Sequence, residues 1–450
     1  MDDWWLPALR DIFDGRRVVL AGDVPAAWTE HVGLLQAAGA TDLMVVATSG
    51  HGAGAVPDLP TVVVEPPDGL TFLQRIHFGT AALQDPPQHV LTALDAFDPR
   101  GEAVVVGTFL NPVSELVGRP FLAHRRPEWV ALEDKIVVDA FWDRAGIDRA
   151  PSVVVDLAEA AAGAVDIDCG DGTVWAADAR EGFTGGASGV RWVTDEPSRQ
   201  RAEADLGAIC DRVRVMPFLE GIPCSIHGIV LPDGVAALRP VEMVTLRRGT
   251  DLVYAGCATF WDPPDAVREH MRDVARRAGE QLAGDVDFRG TFTVDGVVTS
   301  DGFRPTELNP RFGAGINTIA RASRLPIVLL NDLIVAGCDI GLRAHEFERR
   351  LVEAADEHRG GGTWINGVSV ARALTAEPVV ADQAGQFRRA LPSDTPTGTV
   401  VAGGNHMRCR YEPGAVPTGP STGPLAASFW RFADSELGTD IGPLTPAAPM

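Results

Sequence analysis

The stretch TELNPRFGAG (306–315) gathers the side chains with the most obvious capacity for chemistry. Glu307 and Asn309 lie two apart, so on a strand both point to one face. Two oxygen donors side by side on a rigid strand suit Mg²⁺, which takes few protein ligands and completes its shell with water and phosphate oxygens. Arg311 is the next same-face position, where a guanidinium can hold a phosphate or an acyl phosphate. Asp295 ends GTFTVD twelve residues before Glu307, and the Asp-Gly pairs between them signal a hairpin. The spacing predicts Asp295, Glu307 and Asn309 as one cation-binding face.

A second chemical signal is a singularity. Lys and Arg together number 39, and Lys135, in LEDKIVV, is the only lysine. Drift toward arginine in a GC-rich genome would leave a survivor anywhere. An ammonium differs from a guanidinium in being a compact point charge that fits between phosphate oxygens.

The elements that must position these residues follow from periodicity. RRVVLAGD, TDLMVVATSG, PTVVVEPP and EAVVVGTF are β-branched runs closed mostly by small or turn-forming residues. They predict buried parallel strands of an open α/β domain. No GxGxxG follows the first of them, so no dinucleotide fingerprint is present. Apolar spacing predicts helices over 128–147, over SRQRAEADLGAICDRV and over PDAVREHMRDVARRAGEQLAG, and a mostly buried one over ASRLPIVLLNDLIVAG. VRVMPFLEGIPCSIHGIVLPDG reads as strand, turn, strand. The last 100 residues are Gly/Pro/Thr-rich and predict a small strand-containing appendage with a loose tail, LTPAAPM.

Composition bounds the function. The 450 residues carry a formal charge of −22, which repels nucleic acid and anionic membranes, and no basic run offsets it. No run approaches a membrane span and the N-terminus has no basic-to-apolar leader, so a cytoplasmic protein is expected. Six scattered cysteines form no CxxC pair, and ten dispersed histidines form no HExxH. Trp4 and Trp5 are expected to tuck against the first domain. Arg247 and Arg248, after a strand, are candidates to reach a phosphate or a substrate carboxylate, against a plain surface pair.

GTFTVDG followed at twelve residues by ELNPRFGAG resembles the metal and phosphate strand pair of the ATP-grasp superfamily of carboxylate–amine ligases, over most of residues 120–340. The resemblance implies an α/β ATP-grasp fold with an N-terminal open parallel α/β domain and a small strand-containing C-terminal appendage. It divides the chain into an N-terminal α/β domain (1–120), a small lid subdomain (121–215), a metal and phosphate subdomain (216–345) and a β-rich appendage with tail (346–450). It implies that ATP and Mg²⁺ are used: Lys135 reaches the phosphates, TGGASGV (184–190, with Gly185, Gly186, Ser188 and Gly189) covers them, and the hinge VMPFLEG offers Met216, Phe218 and Leu219 to adenine. Arg311 and Lys135 would act on the transferring phosphoryl group, and Asp295, Glu307 and Asn309 on the metal.

Two departures stand out. The second lysine usual before the glycine-rich loop is absent from TVWAADA, with Arg180 or Arg191 as substitutes. The ribose glutamate's place is near Pro223, with Glu220 as stand-in. The implied activity joins a small-molecule carboxylate to an amino-acid or peptide amine through an acyl phosphate, releasing ADP and phosphate, with specialised peptide metabolism as the expected setting. Alternatives are a ligase acting on a nucleotide precursor and a nucleotide-binding regulator without turnover. A homodimer is left open.

Overall fold

The computed structural model describes the whole chain except residues 1–2, 51–53, 181–186, 371–372, 404–405 and 449–450. The four β-branched runs of the first 115 residues become β1 (Arg17–Ala21), β2 (Asp42–Ala47), β3 (Thr61–Val63) and β4 (Val104–Gly107). They form one parallel sheet in the order β3-β2-β1-β4. Val18 to Ala21 are all buried, as expected for a strand covered on both faces. Trp5 is buried, whereas Trp4 meets Phe347 edge-on, in the Ala344–Glu357 helix rather than in the first domain as expected.

A small antiparallel sheet follows: β5 (Val153–Asp156), β6 (Thr173–Ala177), β7 (Val190–Val193) and β8 (Arg212–Pro217), in the order β5-β8-β6-β7. Its core is Trp175, Val213 and Val215 against Ala202 and Leu206 of the Glu196–Gly207 helix.

The third sheet is large and antiparallel. It contains β9 (Ile222–Leu231), β10 (Gly234–Ala237), β11 (Val241–Arg248), β12 (Asp251–Ala258), β13 (Gly290–Thr299) and β14 (Gly302–Asn309). The C-terminal strands β15 (Gly361–Asn366), β16 (Leu374–Ala381), β17 (Phe387–Arg389), β18 (Gly398–Gly403) and β19 (His406–Tyr411) continue it. The order is β14-β13-β9-β11-β12-β15-β19-β18-β16-β17, with β10 pairing β9. Helix α1 (Asp265–Val286) buries Met271, Val274, Ala278 and Leu282 against β9 and β13 residues.

Three expectations need correction. The helix expected over 128–147 is broken: Pro127–Val130 is helical, Ala131–Glu133 is a 3₁₀ turn, and helix resumes at Val138–Arg144. The Asp134 carboxylate accepts the Ile136 N–H at 3.1 Å, and this side-chain turn diverts the backbone from the helical ladder. The helix expected over ASRLPIVLLNDLIVAG (322–337) starts only at Ile327, as α3 (Ile327–Val335), because Ala322 and Ser323 end a separate helix, α2 (Ala314–Ser323). Arg324 takes a left-handed conformation (φ 55°) and Pro326 blocks continuation. The tail is docked, because Thr445 pairs with Arg247 through two backbone hydrogen bonds. A further helix, α4 (Gly423–Phe432), was not foreseen. Its first residues are held by buried Glu242 of β11, which accepts Thr422 N–H at 2.7 Å, the Thr422 hydroxyl at 2.6 Å and Gly423 N–H at 3.2 Å.

Candidate active site

The hairpin delivers the acids as the spacing required. β13 and β14 pair antiparallel with Asp295 directly opposite Glu307 and Thr293 opposite Asn309. Ser300-Asp301 forms the turn, and Gly302, the first residue of β14, sits at φ 101°, a conformation glycine adopts without steric cost. The Asn309 amide donates to Asp295 Oδ2 at 2.9 Å, and the Ser225 hydroxyl of β9 donates to Oδ1 at 2.5 Å. Burial, then the Glu307 charge, pushes the Asp295 carboxyl up to about 7, against the pull of Ser225, Arg311 and Lys135.

Lys135 sits in the break between two helical pieces, from which its ammonium reaches Glu307 Oε1 at 3.3 Å. Only 7% of its side chain is exposed. Arg311 meets the site by a different route from the one expected. β14 ends at Asn309, and a tight turn closed by Arg311 N–H to Asn309 O (2.8 Å) swings Arg311 back. Its guanidinium donates to Asn309 Oδ1 at 2.9 Å and meets Glu133 Oε1 at 3.0 Å. Glu133 also pairs with buried Arg125. The LEDK segment thus supplies both the lysine and the acid that aims Arg311, a role that no local pattern announced.

These groups line one cavity of about 490 Å³. Its walls include Lys135, Asp295, Glu307, Asn309 and Arg311 at one end and Met216, Phe218 and Leu219 of the hinge at the other. Phe109 and Leu110, past the carboxyl end of β4, close it from the first domain. Ser188 and Gly189 also line it, while Gly185 and Gly186 lie outside the described residues.

The proposed stand-ins fare differently. Arg180 pairs with Asp211 at 2.7 Å and Arg191 with Asp205 at 2.9 Å, and the cavity wall includes neither. Small Ala176 lies in the wall on the strand that lacks the second lysine. Glu220 is engaged by Arg247 at 2.7 Å and is absent from the wall. Arg247 itself lines the cavity, over the Phe218 ring (4.9 Å) and the Trp192 ring (5.5 Å). Those two rings stack at 4.1 Å. The third cation of the wall is therefore Arg247, on β11.

The glycines of RFGAG have a local purpose. A Cβ on Gly313 would come within 2.4 Å of Thr293 Oγ1, and one on Gly315 within 2.1 Å of His227 Nε2. Both side chains line the cavity, and the Thr293 hydroxyl and His227 Nδ1 are 2.9 Å apart. Burial lowers the His227 pKa to about 3, so the imidazole is neutral. Buried Arg214 of β8 ties the small sheet to the hairpin, meeting Asp139 at 2.7 Å and the Thr306 carbonyl at 3.0 Å.

The residues present fit a divalent cation. The donors are all oxygen, they face a cavity, and Asp295 and Glu307 oppose each other closely enough that the Glu307 charge helps to raise the Asp295 carboxyl. A 2+ charge would relieve that repulsion.

No family model matches the chain, and no curated protein matches it. Among solved structures, N5-carboxyaminoimidazole ribonucleotide synthetase in complex with ADP is similar at 12% identity. That match covers 89% of this chain and 93% of the other, with a TM-score of 0.53. Campylobacter jejuni biotin carboxylase with an ATP analogue is similar at 13% identity, over 88% and 87% of the two chains, with a TM-score of 0.57. The biotin carboxylase domain of Hydrogenobacter thermophilus 2-oxoglutarate carboxylase, with MgADP, ADP and bicarbonate, is similar at 14% identity. It covers 96% and 91%, with a TM-score of 0.56. At these identities the likeness is one of fold. The fold is ATP-grasp.

Proposed function

We propose, from the ATP-grasp fold and this cavity, that the chain is an ATP-dependent carbon–nitrogen ligase. The observation that carries the reading is the convergence of Asp295, Glu307, Asn309, Lys135 and Arg311 at one end of a cavity whose other end is the hinge. The γ-phosphoryl of ATP passes to a substrate carboxylate, and an amine then attacks the acyl phosphate to give an amide, ADP and phosphate. Asp295, Glu307 and Asn309 would hold Mg²⁺, which supplies charge neutralisation for the phosphates. Lys135 places a point charge beside Glu307, where phosphate oxygens approach the acids. Arg311, clamped by Glu133 and Asn309, presents a fixed fork to the transferring group. Phe109, Leu110 and the segment around Ser188 keep water from the acyl phosphate. The carboxylate and amine are read as amino acids or short peptides, and the setting as cytoplasmic peptide metabolism. This finer reading rests on the sequence that follows β14. A ligase for a nucleotide precursor is the second reading, favoured by the fold likeness to N5-carboxyaminoimidazole ribonucleotide synthetase.

Incubation with Mg-ATP and pooled carboxylates and amines, followed by mass spectrometry of new amides and assay of ADP, tests the proposal. Amine-dependent ADP release with a matching amide supports it. No ADP release with any pool, at full nucleotide occupancy, would favour a binding protein without turnover.

A further inference from the structure

The C-terminal segment returns to the hinge end of the cavity. The N–H of Arg247 donates to Thr445 O at 2.7 Å, and the Thr445 N–H donates to Arg247 O at 2.8 Å. The Arg248 guanidinium donates to Ile441 O at 3.2 Å. Ala448 N–H donates to Glu220 Oε1 at 3.2 Å, the same oxygen that accepts Arg247 Nη2 at 2.7 Å. Ile441 and Leu444 pack on the core of the C-terminal strands, which anchors the segment from its other side. The result is that Ala447 stands in the cavity wall beside the hinge.

Strand register fixes which end this is. Val241 of β11 pairs with Ser225, the hydroxyl that bonds Asp295. Arg247 is six residues further along the same strand, about 20 Å at strand rise. That is the length scale of an extended nucleoside triphosphate. At the far end the wall includes Phe218, on which Trp192 stacks, the Arg247 guanidinium above those rings, and Ala447. Besides the β11–β12 ladder, the backbone pairing with Thr445 and the shared acceptor Glu220 hold Arg247 in place.

We infer that Thr445–Ala448 is a structural wall of the nucleotide site, closing its nucleoside end and positioning Arg247 against the hinge ring Phe218. This rests on the reading of the cavity as a nucleotide site. It assigns the C-terminal tail a direct part in nucleoside binding. It also accounts for Glu220: its carboxylate is committed to Arg247 and the Ala448 amide.

Two variants test it, with MgADP and Mg-tripolyphosphate as probes in calorimetric titrations. A chain ending at Leu444 keeps Ile441 and Leu444 in their core but removes Thr445 and Ala447. Ala447→Trp in the full chain fills the wall without removing the anchor. Each should weaken MgADP at least tenfold while Mg-tripolyphosphate, which has no nucleoside, stays within threefold of wild type. MgADP affinity unchanged in Ala447→Trp, or a parallel loss of both probes, overturns the inference. Failure of the intact chain to bind MgADP overturns the ligase proposal as well, so the two failures are distinguishable.

Discussion

Lys135→Arg preserves a charge and changes its shape, and Lys135→Met removes the charge. The two substitutions separate folding from chemistry. Lys135 lies 3.3 Å from Glu307 and is almost fully buried. A pair at that distance attracts by about 5 kcal/mol at an effective dielectric of ~20. Breaking a buried pair typically costs ~3–5 kcal/mol. Lys135→Met should sit near the low end, about 3 kcal/mol at pH 8, because the Asp295–Glu307 pair can take up a proton in compensation. The sign of the pH dependence follows. Asp295 is raised from its ordinary 3.8 to about 7, and loss of Lys135 removes one of the charges holding it down. A folded-state pKa above the unfolded one gives stability that is full below about 4 and falls as pH rises toward the folded value. Urea titrations at pH 5 and 8 should therefore show a larger deficit for Lys135→Met at pH 8. Lys135→Arg keeps the pair with Glu307, so its stability should stay within ~1 kcal/mol of wild type. Its guanidinium cannot sit as a point between phosphate oxygens. Loss of one charge-assisted hydrogen bond, ~1.5–3 kcal/mol, predicts a fall in kcat/KM for ATP of about 10- to 150-fold. The assay is steady-state ADP release. Wild-type kinetics from a stable Lys135→Arg protein would refute the reasoning and return the lone lysine to genomic drift.

The acids, the buried anchor and the neutral histidine give three more tests. Glu307→Gln should abolish ADP release while MgADP still binds through Met216–Leu219; Asn309→Asp should be mildest and Asp295→Asn intermediate, and full turnover in Glu307→Gln would remove the site assignment. Glu242→Gln replaces one accepting oxygen by an N–H₂, which then faces either the Thr422 N–H or the Gly423 N–H donor, so urea unfolding should show a loss of about 2 kcal/mol. An unchanged unfolding midpoint would mean that α4 is held by its apolar face alone. His227 is lowered to about 3 by burial, so the unfolded chain binds the extra proton and stability should fall as pH drops below 6.5, by up to ~1.4 kcal/mol per unit. His227→Gln should flatten that limb, and an equally steep limb in the variant would assign it to other groups.

The parts of the fold written in local period were readable. β1, β2 and β4 are β-branched runs whose burial needs no partner information, and the Asp295–Glu307 register follows from twelve residues and an Asp-Gly turn. Lys135 stood out through its uniqueness and through the ATP-grasp resemblance of its segment. Features made by distant chain segments were not readable. Arg311 is aimed by Glu133, 178 positions away in a segment that reads as helix, and the break placing Lys135 depends on one Asp134 side-chain bond. Arg247 lines the cavity, and Thr445, almost 200 residues later, pairs with its backbone, which no local pattern announces. Helical periodicity runs straight through Arg324, whose left-handed turn splits α2 from α3. A pattern that scores apolar spacing does not register such a turn.

The central claim is phosphoryl transfer to a carboxylate, and oxygen tracing tests it most directly. A turnover mixture of Mg-ATP, an amine and an ¹⁸O-labelled carboxylate substrate, identified from the pooled assay, is analysed by ³¹P NMR. The account predicts one ¹⁸O in inorganic phosphate, ADP as the nucleotide product, and no label in any nucleotide. Label in AMP, with pyrophosphate as the partner product, would mean an acyl adenylate and would contradict the acyl-phosphate route.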